Sequence, residues 1–156
     1  MGHSSCRERI LLTRAALVLC LALCAGLAQA TSGLRMEQPW ARASLSGVKN
    51  AIVFGTLVND GPVGLSIVGG STPVAARVEF HIHAMNGDVM TMKQLDAVDL
   101  KAGERTTLQP GGLHIMLIDL KQALKQGESF PLTLMTRDGT MLKIEVTVTS
   151  PTAAGP

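Results

Sequence analysis

A regular succession of short strand-like runs occupies the chain from residue 34 onward. The runs are rich in Val, Ile, Leu and Thr, and turn-forming Gly, Pro, Asn and Asp separate them at short intervals. Several separators contain dipeptides that favour tight hairpins, such as Asn86-Gly87 and Asp138-Gly139. The pattern predicts an all-β domain, and a chain of this size favours a Greek-key β-sandwich. The predicted strands are residues 51–58, 65–68, 76–83, 89–95, 106–108, 113–120, 130–135 and 140–149, with a helical turn at 121–126.

The first thirty residues have the layout of a secretory signal peptide. Arg7, Arg9 and Arg14 precede an apolar run over residues 15–27, and the small-x-small segment 28–30 follows it. The apolar run is about thirteen residues long, whereas a membrane-spanning helix needs roughly 20. We therefore expect cleavage after Ala30, a periplasmic protein without stable membrane insertion, a folded domain over residues 31–150 and a flexible tail over 151–156.

Cys24 raises the alternative of a lipoprotein, because a lipid-modified cysteine after a short apolar segment would tether the mature chain to a membrane. The residue before it is Leu23, where lipoprotein processing requires a small residue, and the better small-x-small site lies downstream. Cleavage after Ala30 is the preferred interpretation.

The cysteines exclude several kinds of chemistry. All three of them, Cys6, Cys20 and Cys24, lie within the expected signal peptide, so the mature chain has neither a disulfide nor a thiolate ligand. A blue-copper electron-transfer centre needs a Cys thiolate. A cysteine-based zinc site and a cysteine nucleophile are excluded for the same reason.

The charge balance argues against nucleic acid as a partner. The formal net charge is +2, and this excess belongs to the expected signal peptide, since the remainder of the chain carries equal numbers of basic and acidic residues. With three Phe, one Trp and no Tyr, the chain also offers few side chains on which bases stack.

Two histidines and two methionines form the most informative pattern in the sequence. His81, Met92, His114 and Met116 are separated by ten, twenty-one and one residues. Thioether sulfur is a soft ligand that favours Cu(I) over zinc, calcium or magnesium, and imidazole binds copper as well. The combination predicts a copper site.

Strand alternation places these side chains on compatible faces. In residues 76–83, His81 and His83 share one face with Glu79, and the hairpin at Asn86-Gly87 returns Met92 towards them. His114 and Met116 are two residues apart on one predicted strand, so both point to the same side. The turn over residues 110–112 is expected to expose His114 at the mouth of the sandwich.

Each of these residues also has a structural interpretation. An isolated Met on a strand usually fills a core, because its flexible side chain packs in many shapes. An isolated His is usually a polar surface residue. The concentration of the mature chain's histidines between residues 81 and 114 favours a metal site, but composition and alternation alone leave both interpretations open.

At these positions the chain resembles the periplasmic copper chaperones of the PCuAC family, whose signature is H-x10-M-x21-H-x-M. The resemblance extends over about residues 34–148 and implies a cupredoxin-like β-sandwich. It also implies one Cu(I) per chain, held by the two histidines and two methionines. The segments that carry it are Pro39-Trp40-Ala41-Arg42-Ala43, Val78-Glu79-Phe80-His81, residues 87–92 and residues 110–117.

The resemblance also implies a task and partners. Members deliver copper to the dinuclear centre in subunit II of cytochrome c oxidase, sometimes beside a thioredoxin-like copper assembly protein. We expect a monomer that is not an enzyme. This chain departs from the family at His83 and Met85, two extra potential ligands, since an acidic residue is commoner at the position of His83. The preferred interpretation of His83 is a solvent-exposed polar residue, and the alternative is an auxiliary or Cu(II) ligand.

Three other functions stay open at this point. A copper buffer or resistance protein would use the same ligands without a dedicated acceptor. A small copper enzyme would need an open coordination position and a nearby acid or base, and the sequence shows no motif for them. A metal-free adhesion or assembly sandwich would not depend on His114 or Met116.

Overall fold

The computed structural model describes residues 33–87 and 89–156, without the side chain of Asn86. The expected signal peptide, residues 1–30, lies outside the described residues, and its cleavage stays a prediction. Within the described ranges no helix is long and apolar enough to cross a membrane. The ten strands found there are β1 (Leu34–Arg42), β2 (Asn50–Asn59), β3 (Leu65–Ser71), β4 (Ala75–Asn86), β5 (Val89–Leu95), β6 (Val98–Leu100), β7 (Arg105–Leu108), β8 (Leu113–Leu120), β9 (Ser129–Thr136) and β10 (Met141–Thr149).

The all-β prediction is confirmed, and every predicted strand is present. Strands β5 and β8 have the predicted bounds, and the other six differ at their ends by at most three residues. Strands β1 and β6 were not predicted. The predicted helical turn at 121–126 is wrong, because these residues form a bend, an irregular stretch and the first residue of a turn before β9.

One continuous sheet rolls up to enclose the core. The strand order is β5-β4-β8-β2-β1-β10-β9-β3-β6, with β7 paired to β2 and a further pairing between β3 and β4, the strands next to the two ends of the path. Among the strand pairs in the described ranges, only β1 and β10 run parallel, and the other pairs are antiparallel. Strand β8 lies between β4 and β2, so neighbours in space are distant in sequence, as expected for a Greek key.

Close backbone approach at Gly70 permits the closure of the sheet. Gly70 pairs with Val78 of β4 and with Leu134 of β9. A Cβ added at residue 70 would lie 2.7 Å from the Thr133 carbonyl oxygen and 3.2 Å from a Val78 methyl. A side chain there would push the strands apart, so a glycine is required at the seam.

The core follows from alternation along each strand. In β10, Ile144, Val146 and Val148 are buried while the residues between them are exposed. The apolar side chains of the other strands meet them inside the rolled sheet. The buried interior includes Val53, Leu57, Ile67, Phe80, Ile115, Leu117, Leu132 and Leu134.

The expected tail, residues 151–156, follows β10 directly. Arg42 Nε donates a hydrogen bond of 2.8 Å to the Ala153 carbonyl, so the tail contacts the end of β1. The flexibility of the tail stays a prediction.

Candidate metal centre

Three neighbouring strands, β5, β4 and β8, form the face that carries the predicted ligands. In the β4–β8 register His81 lies opposite His114 and Glu79 lies opposite Met116. In the β4–β5 register His83 lies opposite Met92. Residues directly opposite each other point to the same face, with Cβ atoms about 4.5–5.5 Å apart. The four predicted ligands therefore share one face of the sheet.

The reverse face of the same strands packs into the core. Phe80 is 2% exposed, and Ile115 and Leu117 are fully buried. These residues alternate with His81, His114 and Met116, so the burial that stabilises the domain also fixes which way these three side chains point.

The four predicted residues differ in their access to solvent. His114 is 1% exposed and Met92 is 44% exposed, and the His81 side chain is 13% exposed. Met116 is half-buried. The arrangement places imidazoles inside and one thioether at the surface. The expectation that the 110–112 turn exposes His114 is wrong, because the His114 ring is enclosed.

Met92 is diagonal to His81 across the hairpin. The residue directly opposite His81 on β5 is Gln94, and Met92 lies two positions away, opposite His83. Diagonal neighbours are about 7–8 Å apart at the backbone, within reach of a long side chain. The structure thus brings Met92 next to the predicted pair of histidines, with His83 as its nearest partner on β4.

Glu79 orients His81, a role that the sequence interpretation did not assign. The His81 Nε2 and a Glu79 carboxylate oxygen are 3.0 Å apart. Glu79 is also 3.4 Å from the Arg77 guanidinium. With Nε2 donating to the carboxylate, the lone pair of His81 lies on Nδ1. Proteins commonly fix the tautomer of a metal-binding histidine by a hydrogen bond from its other ring nitrogen to a carboxylate. The sequence already placed Glu79 and His81 on one face of the strand, which is the feature from which this contact could have been predicted.

The Gly112 carbonyl performs the same task for His114. Nδ1 of His114 donates a hydrogen bond of 2.9 Å to this oxygen, so the lone pair lies on Nε2. Burial lowers the pKa of His114 below its ordinary 6.5, and the neighbouring His83 and His81 lower it further, against an opposing effect of the Gly112 hydrogen bond. His114 is therefore neutral near pH 7 and available as a ligand.

Three buried ring nitrogens have no hydrogen-bond partner. They are His81 Nδ1, His83 Nδ1 and His114 Nε2, and no other buried side-chain nitrogen or oxygen in the described part of the chain shares this state. An unsatisfied buried polar group costs about 1–3 kcal/mol. All three unpartnered nitrogens belong to imidazoles on one face of the sheet, which indicates that a bound ligand satisfies them.

Methionine sulfur is needed to make this a metal site. Within residues 33–87 and 89–156, no group of three or more His, Cys, Asp or Glu side chains is arranged to hold a metal ion. The imidazoles are accompanied instead by thioethers at Met92 and Met116. A donor set of unprotonated imidazoles and thioethers fits Cu(I) and fits zinc, magnesium and calcium poorly.

His83 belongs to the cluster, contrary to its preferred interpretation as a solvent-exposed residue. Its ring centroid is 5.1 Å from that of His114, closer than the 6.1 Å between His81 and His114. His83 as a whole is half-buried, and its Nδ1 atom is buried. Alternation had placed it on the same face as His81, but only the strand order shows that β8 brings His114 against both.

Trp40 packs within the β1–β2 pair. Its ring centroid is 4.7 Å from that of Phe54, and it is 4% exposed. Arg42 covers the other ring, with its guanidinium carbon 5.9 Å from the Phe54 centroid. These contacts support a structural role for Trp40 at the edge of the core.

Fold and site together define a class: an all-β domain with a histidine and methionine face on three adjacent strands. The chain belongs to the family described as putative lipoprotein LpqE-like, whose model matches residues 34–148. A putative lipoprotein of Leifsonia xyli subsp. xyli is 31% identical over 117 residues, covering 74% of this chain and 69% of the relative.

Solved structures confirm the predicted resemblance to PCuAC domains and the cupredoxin-like fold that it implied. The copper-bound PCuAC domain from PmoF2 has a TM-score of 0.66 at 28% identity, covering 76% of this chain and 94% of that domain. The solution structure of the Cu(I) form of DR1885 from Deinococcus radiodurans has a TM-score of 0.60 at 28% identity, covering 82% of this chain and 87% of that protein.

Proposed function

We propose that this protein binds one Cu(I) ion through His81, Met92, His114 and Met116. The observation that carries the proposal is the set of unpartnered, buried ring nitrogens beside two thioethers on one face of β4, β5 and β8. The similar solved structures whose descriptions include copper support the same ion. No thiolate is needed, because imidazole and thioether together suit Cu(I).

The mechanism that we infer is ligand exchange by a copper carrier. The buried imidazole of His114 and the half-buried imidazole of His81 retain the ion, while Met92, at 44% exposure, is the ligand that an incoming group meets first. An acceptor with thiolate ligands binds Cu(I) more strongly than thioethers do, so it can displace Met92 and then the remaining ligands. The chemistry moves an ion between donor sets and changes no covalent bond.

We propose the dinuclear copper centre in subunit II of cytochrome c oxidase as the recipient, directly or through a thioredoxin-like assembly protein. The support is the resemblance to PCuAC domains. A transfer assay tests this proposal. The Cu(I)-loaded protein is mixed with the apo copper-binding fragment of the oxidase, and the copper content of each is measured after separation. Copper on the fragment is the expected result, and copper retained on the carrier at equilibrium would contradict delivery.

A second candidate is a periplasmic copper buffer. The 1% exposure of His114 favours retention of the ion over release. A buffer would retain copper in the transfer experiment, and deletion of its gene would cause copper sensitivity with normal oxidase activity. If the protein is a carrier, deletion of its gene should instead lower the copper content of the oxidase at an ordinary copper supply.

We propose that the protein acts outside the cytoplasm and as a non-enzymatic monomer. The family and the Leifsonia relative are both described as putative lipoproteins, which supports export and strengthens the alternative of lipid attachment at Cys24. Assays of the copper-loaded protein with oxygen or superoxide test for turnover, and absence of turnover is the expected result.

The binding proposal is tested by competition with a chromogenic Cu(I) chelator. The purified protein is expected to withdraw about one equivalent of Cu(I), and substitution of all four ligands by Ala should lower the affinity by about two orders of magnitude or more. Unchanged affinity in the fourfold variant would overturn the site assignment.

A further inference from the structure

We propose that His83 is a third imidazole ligand of this centre, and that it enables the centre to hold Cu(II) as well as Cu(I). The inference rests on the proposed function, since it assigns an additional residue and a second oxidation state to the same site.

The position of His83 is that of a ligand. It lies on β4 two residues after His81, and its partner in the register is Met92. The ring centroids of His83 and His114 are 5.1 Å apart, and this is the shorter of the two distances from His114 to another histidine ring. His83 thus stands between the buried imidazole of β8 and the exposed thioether of β5.

The surroundings of His83 do not fit a solvated surface residue. Its Nδ1 is buried and has no hydrogen-bond partner, although a surface histidine would be hydrated at that atom. Its backbone N–H lies 3.5 Å from the Gly112 carbonyl oxygen, the same atom that accepts from His114 Nδ1 at 2.9 Å. The turn before β8 therefore holds both histidines in one place.

A third imidazole changes which ion the site favours. Cu(II) prefers nitrogen and oxygen donors in a tetragonal arrangement, whereas thioethers favour Cu(I). Two imidazoles with two thioethers form a Cu(I) site. Three imidazoles supply most of a Cu(II) equatorial plane, with a thioether left as a weak ligand.

The rings must move to form this set. In the described part of the chain, three such side chains are not already arranged around a common point. His81 and His83 are half-buried and not enclosed like His114, so rotation of their side chains is compatible with the packing. The 3.0 Å contact with Glu79 holds the His81 ring, so His83 is the ring that we expect to move.

The test compares both oxidation states in the purified protein. His83→Ala and His83→Gln are the variants, and Gln94→Ala is the control, because Gln94 lies opposite His81 on the same face and is exposed. Cu(II) binding is followed by electron paramagnetic resonance, with the coupled imidazole nitrogens counted by pulsed methods. Cu(I) affinity is measured by chelator competition, and circular dichroism checks that each variant is folded.

We expect three coupled imidazoles in the parent and two in each His83 variant. Cu(II) affinity should fall by about tenfold or more, while Cu(I) affinity falls by less than about threefold. Gln94→Ala should match the parent in both. Equal Cu(II) spectra and affinities in parent and His83 variants, or a parent that binds Cu(I) but not Cu(II), would overturn the role of His83 and leave the proposed function standing. Failure of the parent to bind Cu(I) would overturn the proposed function itself.

Discussion

The Glu79 carboxylate lies 3.0 Å from Nε2 of His81, so that with Nε2 as the donor the lone pair of the ring lies on the other nitrogen, Nδ1. Glu79 stands opposite Met116 in the register, so one residue supports a histidine on its own strand and lies beside a thioether on the next. The site thus depends on a residue that is not itself a predicted ligand.

Replacement of Glu79 should weaken Cu(I) binding. Loss of the carboxylate behind a ligating histidine typically lowers metal affinity by about 10–100-fold, so we expect that range for Glu79→Leu and a smaller loss for Glu79→Gln, which keeps an acceptor. Chelator competition measures the change. Arg77→Gln is the control, since Arg77 contacts Glu79 but its side chain is 60% exposed, and it should alter the affinity little. An unaffected Glu79→Leu variant would remove the orienting role.

Met92→Leu tests the exposed thioether with little change in shape. The substitution removes sulfur and keeps an apolar side chain, so Cu(I) affinity should fall by about tenfold or more while folding is preserved. Met135→Leu is the matched control, because Met135 is 42% exposed against 44% for Met92 and lies on β9, outside the three strands of the site. Equal affinities in the two variants would exclude Met92 as a ligand.

The pKa of His114 should be measurably below 6.5, because the ring is buried. The pKa of His114 is lowered from 6.5, chiefly by burial, so the unfolded state takes up a proton before the folded state does. Stability associated with neutral His114 is therefore fully present above about pH 6.5 and is lost as the pH falls through the lower folded pKa. Nuclear magnetic resonance of the copper-free protein measures that pKa. A value at or above 6.5 would contradict the enclosed geometry.

Ile115→Ala should destabilise β8, the strand that carries two of the proposed ligands. Ile115 is fully buried and lies between His114 and Met116, with its side chain in the core. Truncation of a buried Ile costs about 2–5 kcal/mol. Urea denaturation is expected to show that the free energy of unfolding falls by an amount in that range. Ile118→Ala, at a half-buried position of the same strand, should lower it by less. A loss below that of Ile118→Ala would contradict the packing of β8.

The mass of the exported protein tests the fate of the N-terminus. Cleavage after Ala30 predicts a chain that begins at Thr31 and carries no lipid. Lipid attachment predicts a chain that begins at modified Cys24 and partitions with membranes. Intact mass spectrometry of the protein from its natural compartment separates the two, and a lipidated Cys24 would replace the signal-peptide interpretation by the one that the relatives' descriptions favour.

Most strands could be predicted because their apolar residues alternate or run together between strong turn signals. Strand β1 could not, because Pro39 interrupts it and a bulge shifts its register between Glu37 and Trp40, with Gln38 at a positive φ of 46°. Strand β6 has only three residues, too few to show a period. Neither omission altered the fold class, since the remaining pattern already required a β domain.

The sequence indicated that the four predicted ligands share one face of the sheet, but it did not indicate how deeply each of them is buried. Spacing and ligand chemistry indicated His81, Met92, His114 and Met116, and the structure places them on one face. The depth of His114 and the inclusion of His83 depend on β8 lying beside β4, a pairing between segments more than thirty residues apart. Local alternation contains no information on that pairing, which is why a turn expected to expose His114 instead encloses it.

X-ray absorption at the copper edge of the Cu(I)-loaded protein tests the central claim most directly, because it identifies the atoms bound to the ion. We predict a first shell that contains both imidazole nitrogen and thioether sulfur, with the sulfur contribution reduced in Met92→Leu and in Met116→Leu and unchanged in Met135→Leu. A shell of nitrogen and oxygen alone, or sulfur that persists when both Met92 and Met116 are replaced, would contradict it.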